Sequence, residues 1–136
     1  AVKMPLPATG TIRDDLAQLR TNLPDDFSIG YSGDWGCAEA LLEGADTWYS
    51  VIGGILPEVS LALTKSAQAG DREQAYAKNA ALEPLWSLFK EYGSLRVVYV
   101  IAQHLSLTNA QPPRPILPVN TEEKARIIKA LGALKI

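Results

Sequence analysis

The feature that most limits the fold is a threefold alternation in the first half of the chain. A short apolar segment is followed each time by a stretch whose apolar residues recur every three or four positions. Ala1 to Leu6 reads as the first strand, ended by Pro5 and Pro7. Gly10 turns the chain, and Thr11 is placed to cap a helix carrying Leu16, Leu19 and Leu23. Pro24, Asp25 and Asp26 break that helix. Phe27 to Tyr31 reads as the second strand, closed by Ser32, Gly33 and Asp34. A short helix, Ala38 to Leu42, follows, with Gly44 as its stop. Thr47 to Ile52 is the third strand by its aromatic and β-branched content. Gly53 and Gly54 end it, and Pro57 suits the first turn of a helix reaching about Gly70.

Strand and helix alternating across short links predict parallel strands joined by right-handed crossovers. Three such units are too few to close a barrel and would leave bare strand edges. The expectation is that partner strands lie upstream or in another chain. The start AVKMPLP, which reads as a buried strand with no polar leader, prompts the same expectation of a fragment or one piece of a cleaved protein. From Asp71 the pattern becomes helical. Asp71 caps a long helix with Ala75, Leu82, Leu85, Trp86 and Phe89 inward, and Pro84 should bend it. A second helix spans Leu95 to Leu107, with Val97, Val98, Ile101 and Leu105 inward. Gln111 to Pro118 is a proline-rich connector. Thr121 caps a last helix whose stripe is Ile127, Ile128, Leu131 and Leu134. The chain therefore divides into three β/α units (1–70) and a helical extension (71–136).

Composition removes several classes of function. A net charge of −2 gives no field suited to nucleic acid or membrane phosphates. No apolar run is long enough to span a bilayer. One cysteine, Cys37, allows no internal disulfide, so a reducing cytoplasm fits best. With one His and one Cys no zinc cluster is expected. His104, on a helix, reads as a surface or interface residue. Cys37 could carry a reactive thiol at a helix start, though a packed small residue fits better. Asp34 is either a catalytic carboxylate at a strand end or a helix cap. Gly53 and Gly54 before Pro57 could bind an anion, but a tight turn is the simpler reading. Trp86, Phe89, Tyr92 and Tyr99 suit a core or a subunit contact. Lys3 stands out between apolar Val2 and Met4, although most lysines are simply solvated.

Three landmarks stand in order: the lysine in AVKMPLP, then DDFSIGYSGD with LLEGADTWYSVIGGILPE, and finally PLWSLFKEY with PPRPILPVNTEEKARIIKALGAL. Together they resemble the last three β/α units and helical extension of the dihydrodipicolinate synthase and N-acetylneuraminate lyase family. The resemblance implies a (β/α)8 barrel with extra C-terminal helices, usually assembled as a homotetramer, and no metal or organic cofactor. It implies that Lys3 forms an imine with pyruvate or another 2-oxo acid, and that Gly33, Tyr49 (through its backbone carbonyl) and Ser50 line the substrate pocket. Thr47, Trp48 and Tyr49 replace the family's Gly, Val and Ile. Tyr92, Gly93 and Ser94 stand where synthases of the lysine pathway carry Pro-Asn-Pro, and Gly54 replaces an Asn. The implied activity is a Schiff-base lyase or aldolase. The alternatives are a synthase of lysine biosynthesis and a catalytically silent barrel used for binding or regulation.

Overall fold

The computed structural model describes residues 1–134, so the last two residues of the expected extension, 135 and 136, lie outside the described residues. Three strands, β1 (Val2–Pro5), β2 (Ile29–Ser32) and β3 (Thr47–Trp48), form one parallel sheet in that order. Lys3 pairs with Gly30, and Gly30 with Thr47, which fixes the register across all three. The connecting helices are α1 (Ile12–Thr21) and α2 (Cys37–Leu42), and α3 (Pro57–Gln68) leaves the last strand. The expected parallel β/α order is what the chain adopts.

Side chains alternate across a strand, so the register sorts the sheet into two faces. Val2, Met4, Ile29 and Tyr31 turn toward the helices and pack with Ile12, Leu16, Cys37 and Ala40. Lys3, Gly30, Thr47 and Tyr49 share the other face. β1 is therefore not buried on both sides as its sequence suggested: Val2 and Met4 are half-buried, while Lys3 and Pro5 are exposed.

Two strands differ from their expected bounds, each for a local reason. The chain around Pro24 is still turning at Phe27, whose N–H donates to the Pro24 carbonyl (3.0 Å), so β2 starts at Ile29 rather than Phe27. β3 ends at Trp48, not Ile52, because Asp34 captures the chain beyond it. The Asp34 carboxylate, 2% exposed, accepts from the Trp48 indole N–H (3.0 Å) and the backbone N–H groups of Val51 (3.1 Å) and Ile52 (2.8 Å). Those bonds turn the chain into a single 3-10 turn at Ile52–Gly54. The expected cap on the helix after Asp34 is thus corrected: the side chain does not cap it, and its oxygens are spent on the neighbouring strand's exit.

The helical half consists of α4 (Arg72–Tyr92), α5 (Ser94–His104) and α6 (Thr121–Gly132). α4 runs unbroken past Pro84, with Asp71 capping the Gln74 N–H as expected. α5 stops at His104, and Leu105, expected inward, is 40% exposed. Ser106 adopts a left-handed conformation there, and the Leu107 N–H folds back onto the Ala102 carbonyl (2.9 Å), which closes the helix end. The last helix is capped by Asn120, not Thr121. Asn120 and Glu123 exchange side-chain and backbone bonds in a capping box. Ile52, Leu56 and Leu63 pack with Leu82, Trp86, Val97, Ile101 and Ile127, so the main core draws on both sides of Gly70.

Glu43, just past α2, ties the two halves by accepting from Arg13 (2.7 Å) and Arg72 (3.0 Å). The Arg13 hydrogen bond first, then that of Arg72, hold its carboxyl down at about 2. Such a depressed carboxyl adds stability above its unfolded value of about 4.3 and loses it as pH falls toward the folded value. Thermal unfolding of the intact protein should find wild type more stable than Glu43→Gln at pH 6. That margin should close as pH drops from about 4.3 to about 2; a margin independent of pH would contradict the pairing. Asp34→Ala should cost about 3 kcal/mol, because three donors, the buried Ile52 N–H among them, lose a charged acceptor, read as a lowered unfolding midpoint. A change below about 0.5 kcal/mol would mean the brace is not what holds the strand exit.

Candidate active site

The helix-free face of the sheet is short on bulk at its centre. Gly30 is buried on β2, and a Cβ there would lie 2.6 Å from Tyr49 Cε2 and 2.7 Å from the Thr47 carbonyl oxygen. The Tyr49 ring therefore lies across Gly30. Lys3, from the strand on the far side of Gly30, reaches back so that Nζ stands 5.8 Å from the ring centroid. At that range an ammonium gains about 0.5–1 kcal/mol from the ring face. The two side chains come from the outer strands and meet over the middle one.

Lys3 is the second of four residues in β1 rather than its last, and its side chain is exposed. The expected place at the end of the strand is thus corrected to one inside it. It points away from the helices, toward the side on which Tyr49 lies.

The other expected pocket residues are placed less simply. Gly33 has φ of +100°, a backbone only glycine holds comfortably, and its open side meets Leu6 Cδ1, 2.9 Å from where a Cβ would stand. Leu6 also covers Gly36. Ser50 is half-buried, and its hydroxyl accepts from the Gly53 N–H (2.8 Å). The Tyr49 N–H donates to the Tyr31 carbonyl (2.9 Å), extending the sheet pairing one residue past β3. Ser50 and Gly33 thus lie near the strand ends, while Lys3, Gly30 and Tyr49 share the helix-free face of the sheet.

Sequence reasoning missed Gly30 and the Tyr49 ring. Gly30 had a signal: a lone glycine inside a strand pattern marks close approach by another group. Cys37 is buried, its thiol donating to the Gly33 carbonyl (3.3 Å), and burial first, then Asp34, push its ionisation well above the ordinary thiol range. It is packing, not a nucleophile. His104 is exposed at the end of α5. Among the described residues no group of three or more His, Cys, Asp or Glu is placed to share a metal ion. None of the described helices is long and apolar enough to cross a membrane. On the helix side, a cleft of about 440 Å³ opens beside β1, lined by Val2, Asp15, Leu19, Leu23 and Phe27 among others.

Known proteins resemble this chain in sequence and fold. A curated 4-hydroxy-tetrahydrodipicolinate synthase of Alcanivorax borkumensis is 32% identical over 134 residues, covering 95% of this chain and 45% of that protein. One from Nitrosomonas eutropha is 34% identical over 128 residues, 91% of this chain and 42% of its own length. The chain thus spans less than half of the curated relatives it matches. The crystal structure of dihydrodipicolinate synthase from Agrobacterium tumefaciens superposes with a TM-score of 0.95 at 56% identity, over 98% of this chain and 45% of that one. A dihydrodipicolinate synthase of Acinetobacter baumannii, solved with pyruvate, has the same fold (TM-score 0.76, 20% identity, 90% of this chain and 40% of that one). The profile of the Dihydrodipicolinate synthetase family matches residues 6–134, beginning three positions after Lys3, and the chain belongs to that family.

Proposed function

We propose that the chain supplies the last three β/α units and the helical extension of a (β/α)8 barrel, and that the intact protein is a Schiff-base lyase or aldolase acting on pyruvate or a related 2-oxo acid. The observation that carries this reading is Lys3 standing on the helix-free sheet face, beside Tyr49 and across Gly30, in a chain of this family. In a closed barrel that face is the interior, and catalytic groups gather where the strands end. Enclosure would take the amine out of water, and a neutral amine is the form that attacks a carbonyl.

The steps follow from the chemistry of an amine. Lys3 Nζ attacks the keto carbon and water leaves, giving a protonated imine. When a proton departs from the adjacent carbon, or a carbon–carbon bond to it breaks, the electron pair flows to the nitrogen and an enamine forms. The enamine then takes a second carbonyl compound or a proton, and water hydrolyses the imine to restore the amine. One hard step becomes two easier ones, with no metal or organic cofactor required. Gly33, Ser50 and the Tyr49 carbonyl shape the rim around the imine.

The remaining strands must pair with the free edge of β1, and an upstream helix fits the cleft lined by Val2, Leu19 and Phe27. We place those units in the same protein or in a second chain, and the assembly as a homo-oligomer in the reducing cytoplasm that a lone buried cysteine suits. A second reading, synthesis of 4-hydroxy-tetrahydrodipicolinate itself, is favoured by the names of the curated relatives. It is weighed against by Tyr92, Gly93 and Ser94 at the end of α4 and start of α5.

Incubating the intact protein with pyruvate and borohydride should add one reduced pyruvyl group, on the peptide that carries Lys3. Lys3→Ala should abolish that adduct and lower turnover by at least about a thousandfold. An adduct on another lysine would refute the assignment of Lys3, and pyruvate binding without any adduct would favour a silent barrel. Formation of 4-hydroxy-tetrahydrodipicolinate by the trapped-competent protein would separate the synthase from the general lyase.

A further inference from the structure

We propose that the side chain of Tyr49 is the specificity wall of this site, restricting the 2-oxo acid to one with a small substituent beside the carbonyl. The inference rests on the Schiff-base reading and goes beyond it, because the sequence resemblance gave this position only a backbone role. Three observations carry it. The ring reaches over Gly30, where a Cβ would lie 2.6 Å from Tyr49 Cε2, so a side chain at position 30 would collide with it. Nζ of Lys3 stands 5.8 Å from the ring centroid, so a carbonyl carbon bonded to Nζ sits within a bond length or two of the space the ring closes. Tyr49 is half-buried, and the bond from its N–H to the Tyr31 carbonyl (2.9 Å) fixes the point on the sheet from which the ring projects.

A substituent directed from the imine toward β3 therefore meets the ring, while one no larger than a methyl group clears it. The ring face also lies against a nitrogen that is positively charged as the protonated imine, which aromatic π density favours. A bulky substituent would have to displace the ring from that contact. Position 49 is occupied here by a large flat side chain where the resembling family carries Ile, so this selectivity belongs to the chain's own sequence.

The test compares borohydride trapping rates on Lys3 for 2-oxo-4-methylpentanoate and for pyruvate, in the intact protein. Tyr49→Ala should raise the ratio of the two rates about tenfold, the scale on which one or two methylenes in a pocket discriminate. Tyr49→Phe, which keeps the ring, should leave the ratio where wild type has it. Tyr49→Leu, smaller than the ring but closer to it in bulk, should raise the ratio to a lesser degree and serves if the alanine variant does not fold. A ratio unmoved by Ala or Leu, with pyruvate still trapped, overturns the wall and leaves the imine chemistry standing. Absence of trapping in wild type with either acid overturns both, since no amine chemistry is left for the wall to select.

Discussion

A single buried carboxylate governs how the strand ends of this chain are arranged. Asp34 leaves β2 and reaches sideways to hold the indole of Trp48 and two consecutive backbone N–H groups, those of Val51 and Ile52. Bonds to an ionised acceptor are roughly twice as strong as neutral ones, and a buried carboxylate without donors is costly, so each side of this contact requires the other. The contact stops β3 after two residues and sends the chain into a 3-10 turn, which in turn presents Ser50 to the Gly53 N–H. Tyr49 is the last residue before that turn still bonded to β2. The ring that faces Lys3 is therefore placed by sheet pairing on one side and by the Asp34 brace on the other.

The glycines complete the arrangement by what they leave out. Gly30 is bare, so the Tyr49 ring can cross the sheet; Gly33 and Gly36 are bare, so Leu6 can fold over the strand ends. The residues that make room and those that fill it are far apart in the chain. One face is packed by apolar residues against α1 and α2, and the other holds the amine and the ring. Structural and chemical demands are thus separated by the alternation of a strand, and a one-residue slip of register would exchange them.

Much of this was legible in the sequence because it depends on local pattern. The order of strands and helices, the caps at Thr11 and Asp71, and the apolar stripes of α4 and α6 follow from periodicity and from residues that satisfy helix ends. The lysine and its register came from resemblance, not from spacing. What stayed hidden depends on contacts between distant residues. Aromatic and β-branched composition argued for a strand from Thr47 to Ile52, yet the carboxylate of Asp34 diverts it, and nothing near Val51 announces that. Asn120 rather than Thr121 caps α6, a choice between two adjacent capping residues that Glu123 decides by closing the box. Leu105 looked inward by period until the left-handed turn at Ser106 ended the helix. The exposure of Lys3 could not be read either, since an apolar strand flanking a lysine says nothing of what lies over its other face.

The central claim is that Lys3 Nζ bonds to a keto carbon on the sheet face it shares with Gly30 and Tyr49. The most direct measurement is a crystal structure of the intact protein soaked with pyruvate. The account predicts continuous density from Nζ to the pyruvate C2 carbon, with the methyl group against the Tyr49 ring and other strands enclosing the amine. Pyruvate held elsewhere, with Lys3 free in solvent on the outside of the fold, would contradict it.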